Sequence, residues 1–342
     1  MDIDFVLPWV DGSDPAWRAE RARRAGCEEG DSSDVRYRDW GTLKYWFRAV
    51  DKFAPWARRV HFITWGHLPA WLNAEEPRLH IVRHEDYIPK EYLPTFSSHP
   101  IELNIHRIAG LAEHFVYFND DVFLTAPVTP DDFFKNGLPR DTCRFSVVHP
   151  RSASDVFAHI LLNNVGVLNA HMDRLMCRKL HGRKWYSLKN GRRSNAGVVN
   201  RCLVCLVLRS LALSRLPFFT GFAAPHIAVA YQKRTFEDLW TMEPKALDAT
   251  CRRRFRTMAD VSQLAARSVQ LALGRFEPSL PLGMAFFPDE TGVGPAVAAI
   301  RQQRFRMVCV NDDETGLDFE SEKKRLVEAF EAILPKKCPF ER

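Results

Sequence analysis

Four short apolar runs near the start of the chain constrain its fold more than any other feature. They are Ile3–Val10 (IDFVLPWV), Arg59–Thr64 (RVHFIT), Leu79–Val82 (LHIV) and Phe115–Phe118 (FVYF). Each is too short for a buried helix, is rich in β-branched and aromatic residues, and is closed by polar or turn-forming residues, so each reads as a buried strand. Between the first two, Leu43, Trp46, Phe47 and Val50 fall at helical spacing, and the sequence predicts an amphipathic helix over Leu43–Phe53. A second helix is expected over Glu102–His114. Strands alternating with helices through short connections predict an α/β fold of Rossmann-like type, with a mostly parallel sheet covered on both faces. Ligands in such sheets sit beyond the carboxyl ends of the strands. The residues that close the first and fourth runs, Asp11-Gly12-Ser13-Asp14-Pro15 and Asn119-Asp120-Asp121, are therefore the first candidates for a site.

The rest of the chain has a different texture. Helical periodicity covers Val156–Leu168, an apolar helix is expected over Val198–Leu216, and residues 235–272 are mostly helical by pattern. Arg306–Val310 is a late strand, followed by Asn311-Asp312-Asp313 and a C-terminal helix over Glu320–Leu334. At 342 residues with 46% hydrophobic content, the chain can bury one large core. The expected organisation is an α/β catalytic core formed by 1–150 and 276–342, with a largely helical inserted lobe at 151–275. The net charge of +6 is mild, its basic residues are mixed with acids, and no nucleic-acid module is recognisable, so a nucleic-acid partner is not expected. The N-terminus has no basic-then-apolar leader, and the longest apolar stretch, Cys202–Leu208, is far short of a membrane span. A cytoplasmic location follows as the expectation. The eight Cys then read as reduced thiols, with Cys202 and Cys205 on a helical core face.

The chemistry-bearing residues fall into a few groups. Asn119-Asp120-Asp121 and Asn311-Asp312-Asp313 each follow a strand, and carboxylates delivered to strand ends suit Mg²⁺ or Mn²⁺; each triplet could equally cap a helix or make an Asx turn. The first loop, Asp11 to Asp14, suits a ribose or a base edge, or is a plain turn. Ser97 and Ser98, in the hydroxyl-rich loop before Glu102, suit an anion at a helix start or serve as caps. Asn104, His106 and Arg107 follow, with His106 either structural or in the site. His226, after Pro225, is placed for proton transfer if it faces a substrate hydroxyl. The basic cluster Arg252–Arg256 can neutralise a phosphate or form a solvated face. The residues alone point to an α/β enzyme using a divalent metal on an anionic substrate, a phosphorylated one among the candidates.

Taken together, these segments resemble the Stealth family. IDFVLPWVDGSDP at 3–15 is similar to its first conserved region. RYRDWGTLKYWFRAVDKFAPWARRVHFITWGHLPAWLN at 36–73 and LPTFSSHPIELNIHRIAGLAEHFVYFNDDVFL at 93–124 are similar to the second. FTGFAAPHIAVAYQKRTFEDLW at 219–240 with RRRFRTMADVSQ at 252–263 resembles the third, and VCVNDDE at 308–314 the fourth. The resemblance implies a bacterial capsule or exopolysaccharide phosphotransferase. Such an enzyme moves a sugar-1-phosphate from a nucleotide sugar, typically UDP-linked (UDP-GlcNAc), to a sugar hydroxyl of a growing polysaccharide and releases a nucleoside monophosphate. It implies Asp120, Asp121 and Asp312 for the Mg²⁺ or Mn²⁺, with Asn311 and Asp313 as second choices. It implies catalytic roles for His226, Arg256 and Asp120. Donor binding falls to Asp11, Gly12, Asp14, Ser97, Ser98, Glu102, His106 and Arg107, with Asn104 as a second choice. Asp11 departs from the animal members, which carry Asn there. The basic stretches at Arg178–Arg193 and Arg252–Arg256 would face an acceptor that becomes a phosphodiester polymer, and the enzyme would associate peripherally with the membrane capsule machinery. A metal-dependent glycosyltransferase with the same donor, and a non-catalytic nucleotide-sugar or polyanion-binding protein, are the competing readings.

Overall fold

The protein is described here from a computed structural model covering residues 1–26, 30, 38–190, 193–194, 197–198, 208, 212–213, 215–288, 292–311 and 318–342. Strands β1 (Ile3–Pro8), β2 (Arg59–Thr64), β3 (Leu79–Arg83) and β4 (His114–Tyr117) are the four apolar runs of the sequence. They pair in parallel in the order β4-β1-β2-β3, with Phe5 opposite Val60 and Val116. β5 (Val122–Leu124), β6 (Phe134–Lys135) and β7 (Leu138–Asp141) follow, then a small hairpin of β8 (Arg193–Ser194) and β9 (Gly197–Val198). β10 (Val229–Gln232) joins the main sheet antiparallel to β4, with Val229 opposite Tyr117. β11 (Glu277–Pro278) extends β7. β12 (Gly283–Phe286), β13 (Met307–Val310) and β5 make a separate three-stranded sheet, in which β13 runs antiparallel to β5.

The main sheet is buried on both faces, and the pleat explains its unbroken apolar runs. Phe5 and Leu7 pack to one side, with Trp46, Phe47, Phe62 and Phe118 and the late elements Val308 and Phe330. Val6 between them packs to the other side, with Ile63, Phe115, Tyr231, Phe236 and Val269. Each fully buried side chain of this kind contributes roughly 1.5–3 kcal/mol.

One expectation is corrected. The helix expected over Glu102–His114 is a short helix, Ser98–Leu103, followed by a 3₁₀ turn at Ile105–Arg107 and an extended Ile108. The cause is Asn104, whose side-chain amide donates to the Pro100 carbonyl at 2.8 Å and takes the acceptor that a further helical turn needs. The stretch 235–272 is mostly helical, as expected: it forms Lys233–Met242, Pro244–Arg252 and Leu264–Ala272 with a loop between the last two, and β10 directly precedes it. The helix at Leu43–Phe53 and the C-terminal helix at Phe319–Ile333 fall where the periodicity puts them. The expected helix at Val198–Leu216 lies mostly outside the described residues, as do Asp312 and Asp313. No helix among the described residues is long and apolar enough to cross a membrane.

At the amino end of β1, Asp4 is fully buried. Arg58 and the Ala112 N–H donate to its carboxylate, and His61 Nε2 lies 2.9 Å from it. Burial alone would raise this carboxyl; the bonds from His61, Arg58 and Ala112 override it and hold the pKa at about 2.

Candidate functional site

The parallel strands end along one edge, and two antiparallel pairings bring further residues to it. Because β10 runs against β4, the residues entering β10 meet those leaving β4, so His226 comes beside Asn119–Asp121. Because β13 runs against β5, its carboxyl end meets the start of β5, and the Val310 N–H donates to the Asp121 carbonyl at 3.0 Å. Cys309 and Asn311 thereby arrive at the same place.

The resulting cluster is compact. His226 Nε2 lies 3.2 Å from Asn119 Nδ2 and 3.4 Å from Asp121 Oδ2. The Cys309 thiol donates to Asp121 Oδ2 at 3.3 Å. Ligand atoms of Asp121, His226 and Cys309 all lie within 4.8 Å of one another. Asp121 Oδ1 is buried with no hydrogen-bond partner. The Asp120 side chain reaches solvent, yet the protein packed around it and the adjacent Asp121 carboxylate push its pKa up to about 7. Neighbouring carboxylates with an unsatisfied oxygen call for positive charge. Burial, with the Asp121 carboxylate beside it, pushes the Cys309 thiol far up, and the protonated thiol orients Asp121. The remaining oxygen donors fit a hard divalent cation, and Asp121 with Asp120 would hold it.

A second group of loops lies along the same edge. Asp11 Oδ1 accepts from the Ser13 backbone N–H at 2.8 Å and from its hydroxyl at 2.6 Å, which closes the loop around Gly12. Asp14 caps the helix Pro15–Ala25 through the Trp17 N–H. The Asp11 N–H donates to His67 Nε2 at 2.7 Å, and His67 packs against Trp9 and Trp65. Burial lowers the His67 pKa, which keeps that nitrogen an acceptor. Trp17 meets Phe96 edge-on, and Phe96 stacks on Phe255 at 5.4 Å, which joins this loop to the Ser97–Ser98 loop and to the arginine loop. Arg256 Nη2 donates to Ser98 Oγ at 2.9 Å. Ser97 caps the helix of Ser98–Leu103, and His99 anchors the arginine loop through Asp260 at 3.0 Å.

The structure therefore brings together Asp120, Asp121, Asn311 and His226 in one group, and Asp11, Gly12, Asp14, Ser97, Ser98 and Arg256 in another. Glu102 sits in the interior, where Tyr117 donates to its Oε1 at 2.9 Å while its Oε2 has no partner. Asn104, His106 and Arg107 are turned elsewhere. Asn104 bonds Pro100 and Cys251, Arg107 lies over Trp240, and His106 stacks on Phe236. Burial, with Arg107 beside it, pushes His106 down to about 4, as befits a packed neutral imidazole. Sequence reasoning missed His67 and Cys309. Their signal was position alone: His67 follows β2 as Asp11 follows β1, and Cys309 lies two residues before an Asn-Asp-Asp triplet.

Residues 36–141 match the family model of Stealth protein CR2, conserved region 2, and residues 1–26 match Stealth protein CR1, conserved region 1. The capsular polysaccharide phosphotransferase WcwK of Streptococcus pneumoniae is 37% identical over 343 residues, covering 100% of this chain and 99% of its own. The exopolysaccharide phosphotransferase cps2G of Lactiplantibacillus plantarum is 35% identical, covering 100% of this chain and 97% of its own. Among solved structures, the galactosyltransferase LgtC with donor and acceptor sugar analogues aligns over 95% of both chains at 11% identity. Its TM-score is 0.36.

Proposed function

The chain belongs to the Stealth family, and from that premise we propose that it is a capsule or exopolysaccharide phosphotransferase. It moves a sugar-1-phosphate from a nucleotide sugar, UDP-linked, to a hydroxyl of a growing polysaccharide. The observation that carries the reading is the convergence of His226 and the Asp120–Asp121 pair beyond the carboxyl ends of the strands.

In this reading the acceptor oxygen attacks the β-phosphorus and a new P–O bond forms. The bond from that phosphorus to the bridging oxygen breaks, and the pair leaves on a nucleoside monophosphate. His226 Nε2 takes the acceptor proton. Asp121 Oδ2, 3.4 Å away, favours the imidazolium that results. Asp121 and Asp120 would hold Mg²⁺ or Mn²⁺, which would supply charge neutralisation at the phosphates. Arg256, fixed through Ser98, adds positive charge where the transferring phosphoryl develops its own. The loop at Asp11–Asp14 and the Ser97–Ser98 loop cradle the donor. The core of 1–150 and 276–342 binds that donor, and 151–275 supplies His226, Arg256 and acceptor contacts. The enzyme works at the inner face of the membrane, held there peripherally.

The test is a donor carrying a labelled β-phosphate, with UDP-GlcNAc the first to try. Label in the polymer supports the reading. Label in free UDP replaces it with a glycosyltransferase, and donor binding without turnover across acceptors replaces it with a binding protein.

A further inference from the structure

The charge of the chain is very unevenly distributed. Between Asp173 and Glu237 there is no Asp or Glu at all, while thirteen Lys and Arg fall in that interval. Since the whole chain carries only +6, everything outside the interval is net negative. The interval opens with the helix Arg174–Trp185, whose inner side is firmly held. Trp185 donates to the Leu271 carbonyl at 2.8 Å, and Arg174 is buried over the Phe145 ring. That fixes which side looks outward. Lys179 and Arg183 lie along the middle of the outward side, and Leu175, Met176 and Leu180 flank them. Leu180 is 66% exposed, and Leu188 in the turn that follows is 70% exposed. Among the described residues, neither Lys179 nor Arg183 has an acidic partner.

We infer that this face of the helix and the turn at Leu188–Lys189 rest on an anionic lipid surface. The inference deepens the peripheral attachment proposed above and does not depend on the phosphoryl chemistry. Charge selects the class of partner: Lys179 and Arg183 on the outward side, with Lys189 in the following turn, are complementary to an anionic surface. The apolar residues select within that class. A hydrated polysaccharide or nucleic acid gives no return for three large aliphatic side chains held in water beside the cations. A bilayer interface takes the aliphatic chains below the headgroups and the cations at their level. With no spanning helix among the described residues, the mode is lying on the membrane rather than crossing it. The Lys and Arg of this stretch then meet lipid, and the acceptor-facing charge is left to the arginine loop.

The test is co-sedimentation of the full chain with vesicles of phosphatidylcholine alone and with one third phosphatidylglycerol. Binding to the anionic vesicles at least ~10-fold above the neutral ones is expected, falling as salt is raised. The double change Leu175→Ser, Leu180→Ser should reduce that binding ~10-fold or more while leaving turnover of a soluble acceptor unchanged. Lys179→Glu, Arg183→Glu should abolish it. An unchanged thermal transition in each variant separates loss of the face from loss of the fold. Absence of wild-type binding to anionic vesicles overturns the inference. So does binding that survives the leucine changes and is displaced by a soluble polyanion such as dextran sulfate, which would assign the face to a polymer. Concentration-dependent dimers lost with the same leucines would assign it to a second copy.

Discussion

Two groups of carboxylates stand along the same sheet edge and are used in opposite ways. In the first loop the carboxylates are already committed: Asp11 to the backbone and hydroxyl of Ser13, Asp14 to the helix that begins beside it. After β4 the carboxylates are only half committed: Asp121 takes the Cys309 thiol on Oδ2 but keeps a buried Oδ1 without a partner, and Asp120 is pushed up to about 7 by its surroundings and its neighbour. The residue types are the same and so is the position at a strand end. The difference is whether donors within the same loop satisfy every buried oxygen. Where they do, the carboxylate shapes a loop; where they do not, it waits for a cation or a proton.

The contrast can be broken by substitution, beginning where the effect is largest. Asp121→Asn should remove metal-dependent turnover, and excess Mg²⁺ should not restore it; turnover at unchanged Mg²⁺ demand would place the metal elsewhere. His226→Ala should lower kcat by roughly 10²–10⁴-fold with donor affinity retained, as read from initial rates and donor titration. Cys309→Ala leaves the oxygens in place but frees Asp121 to turn, so the Mg²⁺ concentration for half-maximal rate should rise about 10–100-fold. Cys309→Ser should recover much of that loss.

The committed carboxylates should instead register in stability. At the far end of β1, Asp4 has its pKa held below the ordinary carboxylate value, so the unfolded chain binds the proton more readily. Its contribution, about 2 kcal/mol, is therefore complete above about pH 4 and is lost as pH falls toward 2. Urea unfolding across that window should show a shallower fall in Asp4→Asn than in the wild type, the remainder coming from other depressed carboxylates such as Asp260. Asp14→Ala should cost about 1 kcal/mol of stability, the usual effect of a lost helix cap, with a milder effect on turnover than any change after β4. A turnover loss for Asp14→Ala as deep as that of His226→Ala would erase the contrast.

The parallel core was legible because its strands are buried on both faces, and Phe5-Val6-Leu7 therefore reads as an unbroken apolar run. β10 was not legible. Four residues beside a longer helical pattern carry too little period to stand out, and their pairing with β4 is a long-range choice. The helix expected over Glu102–His114 failed on one amide, Asn104, whose competition for a backbone carbonyl leaves no trace in apolar spacing. At the site, Asp120, Asp121 and His226 could be named from residue type and neighbours, whereas the bonds that commit Asp11 and Asp14, or turn His106 into the packed interior, are properties of the folded chain. The same holds for Cys309, an ordinary core thiol in sequence and the partner of Asp121 in space.

The most direct measurement is ³¹P spectroscopy of a single reaction containing purified protein, Mg²⁺, a UDP-sugar and acceptor. Sugar-1-phosphate transfer predicts a phosphodiester signal and UMP that grow together in equal amounts, both absent with Asp121→Asn. UDP accumulating with no phosphodiester would contradict it.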